Sequence, residues 1–204
     1  MNEPNNNIFT RINKSQRNVA VMFMVDISSS THGMINTIEK ESLILLCDSL
    51  NLLGDCYAIY GFSGTTRKNC QLYPIKKFDE SYSNEVQRKI AGITAQNYTR
   101  IGAAVRYLSH KLAMVQAKTK LLILLSDGKP DDIDGYRGKY GIEDTRHSLF
   151  ESRAFGILPY CITIDKEAKS YLPYMYGHTN FSIVSRVAEL PFKMADIYRR
   201  ITTA

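Results

Sequence analysis

An uninterrupted apolar stretch near the start of the chain ends on an acidic turn. Residues 19–25 contain no charge, glycine or proline, and Asp26 follows them directly. Such a run is typical of a strand that is buried on both faces of a parallel sheet. Because open α/β sheets bind ligands beyond the carboxyl ends of their strands, the turn after this strand is the first candidate site.

Oxygen-bearing side chains alternate along that turn. Asp26, Ser28 and Ser30 occupy every second position, so their oxygens can converge on one point past the strand. A carboxylate with two hydroxyls is a hard donor set that suits Mg²⁺ or Mn²⁺, whereas Zn²⁺ favours nitrogen and sulfur. An aspartate followed by serines is also an ordinary turn or helix cap. Both interpretations stay open on this segment alone.

Composition restricts the class of protein. The 204 residues are 44% hydrophobic, which suffices for one core and one domain. We expect residues 1–14 to form a polar tail and residues 15–204 to form the domain. The net charge of +6 comes from scattered basic residues, which favours solvated faces over a nucleic-acid footprint. The apolar runs are too short for a membrane span, and four cysteines without metal-site spacing favour a cytoplasmic protein.

Strands and helices alternate after the first strand. Apolar periodicity predicts further strands near residues 55–62, 71–75, 120–125, 156–165 and 181–184, and helices near 33–53, 100–118, 142–155, 168–175 and 190–201. This alternation predicts an α/β fold with a doubly wound, mostly parallel sheet that helices cover on both faces. Pro74 fits a central strand poorly, so the strand that contains it is expected at an edge.

Two further polar residues are expected at the edge where the first strand ends. Thr99 precedes a predicted helix, and Asp127 closes a second buried strand. Each has an ordinary structural explanation, since threonine caps helices and Asp-Gly marks turns. If the two strands are neighbours, however, these residues surround one point together with Asp26, Ser28 and Ser30.

The five residues, in this order, resemble the metal-ion-dependent adhesion site of von Willebrand factor A domains. The resemblance covers about residues 15–204. It implies a Rossmann-like three-layer sandwich whose six-stranded sheet has the order 3-2-1-4-5-6 and one antiparallel edge strand. It also implies Mg²⁺ or Mn²⁺ at the carboxyl edge. Ser28, Ser30 and Thr99 would supply hydroxyl ligands, and Asp26 and Asp127 would bind directly or through water.

One branch of that superfamily matches two longer segments. Residues 97–106 and 127–146 are similar to the C-terminal domain of NorD-type nitric oxide reductase activation proteins and to the related domain of Rubisco-activating CbbO proteins. Those families work beside a MoxR-type AAA+ ATPase, so the resemblance implies an adaptor in the activation or maturation of a metalloenzyme. NorD-type proteins are longer than this chain, so a preceding region is expected.

The ligand set itself favours binding over catalysis. Two carboxylates only neutralise a divalent cation, and hydroxyls add no charge, so the bound metal would attract an acidic side chain from a protein partner. We therefore expect a metal-dependent binding module and not an enzyme. The loop after Asp127 is expected to contact the partner through Asp131, Tyr136, Arg137 and Tyr140.

An enzymatic alternative is a haloacid dehalogenase-like, Mg²⁺-dependent phosphatase in which Asp26 is the nucleophile. Such chemistry normally requires a second carboxylate two residues after the nucleophile, and Ser28 stands at that position. The sequence also contains no GxGxxG, GxxxxGK[ST] or GxSxG motif, which disfavours dinucleotide, P-loop and hydrolase functions.

Overall fold

The computed structural model of the chain describes residues 18–203. The tail predicted at residues 1–14 therefore lies outside the described residues, and the domain boundary at residue 15 stays a prediction. None of the helices within residues 18–203 combines the length and the apolar character that crossing a bilayer requires.

Six strands form one sheet, and they are, in chain order, β1 (Val19–Asp26), β2 (Cys56–Gly64), β3 (Cys70–Lys76), β4 (Thr119–Ser126), β5 (Ile157–Thr163) and β6 (Phe181–Ile183). Their spatial order is β3-β2-β1-β4-β5-β6. Neighbouring strands are parallel except β2 and β3, which are antiparallel. The predicted fold class, strand order and antiparallel edge strand are confirmed.

The helices of the described residues are α1 (Met34–Leu53), α2 (Asn84–Ala91), α3 (Ile101–Ala113), α4 (Gly138–Ala154), α5 (Leu172–Tyr176) and α6 (Leu190–Thr203). Residues of α1, α2 and α6 pack in one core, on one face of the sheet. Residues of α3, α4 and α5 pack in a second core, on the other face. The sheet is therefore the middle layer of three.

Strand β1 contributes to both cores because successive side chains of a strand point to opposite faces. Val21 and Phe23 belong to the core of α1 and α6, whereas Met22 and Met24 belong to the core of α3 and α4. All eight residues of β1 are buried. This double burial explains why the strand reads as a continuous apolar run.

Several elements differ from the sequence-based expectation, among them α5, which begins at Leu172, four residues after the predicted start. Helix α2 was not predicted, since its eight residues carry only two buried apolar side chains, Val86 and Ile90. Helix α3 ends at Ala113, before the predicted end at residue 118. A tighter turn follows, in which Val115 N donates to Leu112 O, and this turn continues the apolar pattern to Val115. Helix α4 begins at Gly138, four residues before the predicted start.

Candidate metal centre

The two carboxylates of the expected site close neighbouring strands. β1 and β4 are adjacent and parallel, with Val25 opposite Leu125. Asp26 is the last residue of β1, and Asp127 directly follows the last residue of β4. The carboxyl ends of the two central strands therefore bring both side chains to the same edge of the sheet.

A continuous chain of hydrogen bonds joins the five predicted residues. Thr99 Oγ1 donates to Asp26 Oδ1 at 3.4 Å, and the same oxygen accepts the Ser28 N–H at 3.0 Å. The hydroxyls of Ser28 and Ser30 lie 3.0 Å apart. Ser30 Oγ then donates to Asp127 Oδ1 at 2.9 Å. Side chains from three separate segments thus converge on one cluster of oxygens.

Backbone hydrogen bonds hold these segments in place. Ser29 N donates to Asn97 O at 2.8 Å, which ties the turn after β1 to the loop before α3. Thr99 and Asp131 exchange two backbone bonds, of 2.8 and 3.0 Å. Thr99 is not the cap of α3, since Arg100 is the N-cap residue. The Thr99 hydroxyl points instead toward Asp26.

Burial disfavours the ionised form of both carboxylates. Burial, reinforced by the charge of Asp127, raises the pKa of Asp26 to about 6. Burial also raises the pKa of Asp127, although the hydrogen bond from Ser30 opposes the increase. Within residues 18–203, neither carboxylate forms an ion pair with Lys, Arg or His. Two adjacent, unneutralised carboxylates with three hydroxyls fit a hard divalent cation.

The hydroxyls are essential to that fit. The part of the chain that the structure describes holds no group of three or more His, Cys, Asp and Glu side chains suited to a metal ion. A cation at this edge would therefore depend on Ser28, Ser30 and Thr99 in addition to the two aspartates. Such a site would bind metal weakly, because neutral oxygens contribute less than carboxylates to holding the cation.

The five residues border a cleft of about 370 Å³. Ser28, Ser30, Thr99 and Asp127 line it directly, whereas Asp26 lies beneath them with no exposed surface. The rim carries three further carboxylates and one lysine, whose ammonium pairs with one of them at 2.8 Å; these residues are Asp131, Asp165, Glu167 and Lys129. The cleft is open to solvent and large enough for a side chain of another protein.

Two residues near the site were not singled out from the sequence. Ser126 Oγ donates to Asp26 Oδ2 at 2.8 Å and so orients the second oxygen of that carboxylate. Its position directly before Asp127 is the signal that could have identified it. Glu39 of α1 is buried, and burial followed by the charges of Asp26 and Asp127 raises its pKa to about 9. No sequence pattern distinguishes Glu39 from the exposed Glu41 of the same helix.

Three of the four residues that were predicted to contact a partner are exposed. Asp131 is exposed and lines the cleft, and Arg137 and Tyr140 are exposed at the start of α4, outside the cleft lining. Tyr136 has no exposed surface. Its inclusion in the partner surface was therefore wrong, because its ring packs against the Arg100 guanidinium, 4.1 Å away.

Arg100 lies at the centre of a buried polar network beside the cleft. Its Nε donates to Asp132 Oδ2 at 3.0 Å, and it forms a second ion pair with Asp134. Asp132 is also buried. Asp132 is therefore an internal counter-ion of Arg100 and not a solvated loop residue. Since Asp132 follows Asp131, the network supports the backbone pairing that places Thr99.

The far side of the network fixes the distance between α3 and α4. Tyr136 OH donates to Asp144 Oδ2 at 2.6 Å and accepts the Gly102 N–H at 3.1 Å. A Cβ atom on Gly102 would lie 2.1 Å from Asp144 Oδ2. A side chain at residue 102 would therefore displace the Asp144 and Tyr136 side chains from their present hydrogen bonds.

The sequence of residues 20–197 matches the family described as the von Willebrand factor type A domain. The chain belongs to this family. Its sheet order, β3-β2-β1-β4-β5-β6, is the order that the resemblance implied.

Curated relatives of this von Willebrand factor type A domain include proteins named NorD. The chain is 37% identical to protein NorD of Stutzerimonas stutzeri over 194 residues, which is 92% of this chain and 32% of the relative. It is 38% identical to protein NorD of Brucella abortus over 188 residues, or 90% of this chain and 30% of the relative. An uncharacterized protein of Pseudomonas aeruginosa is 41% identical over 95% of this chain and 33% of its own length. The chain spans about a third of these relatives.

Solved structures show the same fold at low sequence identity. A von Willebrand factor type A protein from Catenulispora acidiphila superposes with a TM-score of 0.63 at 18% identity, covering 89% of this chain and 42% of the other. The pilus adhesin SpaC from Lactobacillus rhamnosus GG gives a TM-score of 0.74 at 13% identity, with 93% and 31% coverage. At these identities the likeness concerns the fold alone.

Proposed function

We propose that this von Willebrand factor type A domain is a metal-dependent protein-binding module of a NorD-like activation protein. The observation that supports it most is the hydrogen-bonded chain from Thr99 through Asp26, Ser28 and Ser30 to Asp127. Four oxygen-bearing side chains line one open cleft and the fifth, Asp26, lies directly beneath them. Two of the five are carboxylates without a cationic partner among the described residues. A divalent cation would stabilise this arrangement.

The proposed ligands are of two kinds, carboxylates that balance the charge of the cation and hydroxyls that complete its coordination. Asp26 and Asp127 would neutralise Mg²⁺ or Mn²⁺, while Ser28, Ser30 and Thr99 would complete its oxygen shell. Ser126 holds one oxygen of Asp26 and so fixes the direction in which the other oxygen points. When bound, the cation would offer an open coordination position in the cleft, to which an acidic side chain of a partner could bind.

The wider role rests on the relatives. Proteins named NorD match nearly the whole chain, so we propose that it works in the cytoplasm as an adaptor for a MoxR-type AAA+ ATPase. The target would be a metalloenzyme such as nitric oxide reductase, activated or matured by this assembly. The family match and these relatives give the phosphatase alternative no support, and we propose a non-enzymatic module.

Magnesium should stabilise the wild-type domain against heat. A ligand that binds only the native state raises the free energy of unfolding by about 2.7 kcal/mol at about 100 times its dissociation constant. Asp127→Asn removes one of the two negative charges of the ligand set at a half-buried position. We therefore expect the melting temperature of wild type, but not of Asp127→Asn, to rise when Mg²⁺ replaces chelator in a thermal-shift assay.

The matched control is Asp131→Asn, an exposed carboxylate that lines the same cleft but is not a proposed ligand. It should keep the full Mg²⁺ response. A response that is equal in all three proteins would show that Mg²⁺ binds elsewhere. The absence of any response in wild type at millimolar Mg²⁺ would contradict the metal site.

Arg137 provides a test of the partner surface. It is exposed at the start of α4, beside the loop that carries Asp131. Arg137→Glu should weaken binding of a purified MoxR-type ATPase from the same organism about tenfold, which corresponds to about 1.4 kcal/mol. Surface plasmon resonance in Mg²⁺ measures this change, with Arg186→Glu, at an exposed arginine between β6 and α6, as the control. Unchanged affinity of the Arg137 variant would exclude this surface.

A further inference from the structure

A second opening lies at the edge of the sheet, apart from the metal cleft. It is a cavity of about 540 Å³ between strands β2 and β3 on one side and helix α3 on the other. Its apolar walls are formed by Tyr60, Leu72, Pro74, Ala103, Ala104 and Tyr107. None of the residues that line it also lines the metal cleft. We call this cavity the edge groove.

Two lysines give the edge groove a positive rim. Lys77 directly follows β3 and Lys111 lies in the last turn of α3; both are exposed. Among residues 18–203, neither ammonium lies within 4.0 Å of a carboxylate. Lys111 Nζ lies 5.2 Å from the centre of the half-exposed Tyr107 ring. The rim thus offers two available positive charges beside aromatic and aliphatic surface.

The other charged groups near the edge groove are Arg100, Asp79 and Glu80, of which Arg100 and Glu80 are paired. Arg100 reaches its lining, but the guanidinium is bound to Asp132 and Asp134. The charges of Asp79 and Glu80 act on Tyr60, and Glu80 is paired with Lys89 at 3.3 Å. Within the described part of the chain, two lysines without an ion pair therefore stand against one such carboxylate, Asp79, so the net charge near the rim is positive.

We propose that the edge groove binds an acidic peptide segment of a partner protein that carries a bulky apolar side chain. The apolar side chain would fill the space between Leu72 and Ala104, and flanking carboxylates would meet Lys77 and Lys111. Pro74 removes one N–H donor from the exposed edge of β3, which disfavours the addition of another strand. The peptide would therefore be recognised through its side chains.

The charge of the rim also favours an acidic partner over two other possible occupants, a second copy of the chain and residues 1–17. A second copy of the chain carries the same net charge of +6, so two copies repel each other at long range. Residues 1–17 contain Arg11, Lys14 and Arg17 against Glu3 alone, and they are no better matched to a lysine rim. An acidic segment of another protein is the complement of this surface.

The edge groove and the metal cleft are adjacent but chemically independent. Thr99 lines the cleft and Arg100 lines the groove, so one partner is able to reach both. The groove contains none of the proposed metal ligands. Its binding is therefore expected to persist in chelator, which distinguishes it from the proposed function.

Fluorescence anisotropy tests this inference on the 204-residue chain. The probe is a fluorescein-labelled peptide in which a Leu-Phe pair is flanked on both sides by glutamates, and it is titrated with protein in low salt and EDTA. We expect saturable binding that weakens with added salt. The double variant Lys77→Glu, Lys111→Glu should raise the dissociation constant about tenfold or more.

Two controls make the result specific. The double variant Lys118→Glu, Lys139→Glu changes the net charge equally at exposed sites outside the groove, and it should retain most of the affinity. Ala103→Phe fills the groove without a change of charge and should abolish binding, with circular dichroism as a check of the fold. Lack of binding by wild type, equal losses in both lysine variants, or retained binding in Ala103→Phe would each overturn the proposal.

Discussion

Replacing Arg100 with methionine should lower the free energy of unfolding by about 3 kcal/mol. The guanidinium and the Asp132 carboxylate that it contacts at 3.0 Å are both buried. Removing one partner of a buried ion pair leaves the other charge without compensation, which is the costly case. Asp132 Oδ1 still accepts N–H groups from Thr66 and Ile133, so the loss should fall at the lower end of the range for such pairs.

Urea unfolding followed by circular dichroism measures the loss, provided that the slope with denaturant is unchanged. Arg186→Met is the control, since its guanidinium is 80% exposed and pairs with Glu189 on the surface, and it should cost less than about 1 kcal/mol. Adding Asp132→Asn to Arg100→Met removes the unpaired charge but keeps an acceptor, so it should recover part of the stability. A loss below about 1 kcal/mol in Arg100→Met, or no recovery in the double variant, would contradict this account of the network.

The architecture could be predicted because its signals are local. β1 and β4 are buried on both faces, and that burial forces continuous apolar runs that are visible in the sequence. The predicted metal residues also follow a local rule, since carboxyl ends of neighbouring parallel strands meet at one edge. The sequence therefore predicts which residues share that edge. The hydrogen bonds that join them are visible only in the structure.

The Arg100 network could not be predicted, because its partners are distant along the chain. Tyr136 lies in a polar, glycine-rich loop, which is typical of solvent exposure, yet its ring is buried against a residue 36 positions earlier. The close approach of α3 and α4 at Gly102 could not be predicted from the sequence either, since any helix tolerates an isolated glycine at a modest cost. Contacts between α3 and the loop after β4 arise only once the two segments are packed on the same face of the sheet.

Glu39 should make the domain less stable as the pH rises. It is 4% exposed, and its Oε2 has no hydrogen-bond partner among the described residues. Burial, followed by the charges of Asp26 and Asp127, raises its pKa from 4.5 to about 9. The folded protein therefore keeps this proton at a pH at which the unfolded chain has released it. The stability that the neutral carboxyl contributes is fully present below about pH 4.5 and is lost progressively up to about pH 9.

Glu39→Gln should consequently stabilise the domain at neutral pH. Glutamine keeps the size and the neutral state of the side chain but cannot ionise in the unfolded chain. At pH 7 we expect a gain of about 2–3 kcal/mol over wild type in chelator, and at pH 4 we expect almost none. The gain is read from the difference between the two stability curves, because other carboxylates titrate equally in both proteins.

The exposed Glu41 lies on the same helix and provides the matched control. Glu41→Gln removes the same formal charge at a solvated position, so its stability curve should stay parallel to that of wild type. A gain at pH 7 that is equal in both variants would assign the effect to net charge and not to the buried carboxyl. If the Glu39→Gln curve also runs parallel to wild type between pH 4 and 8, Glu39 ionises equally in the folded and unfolded chains, and the buried neutral carboxyl is excluded.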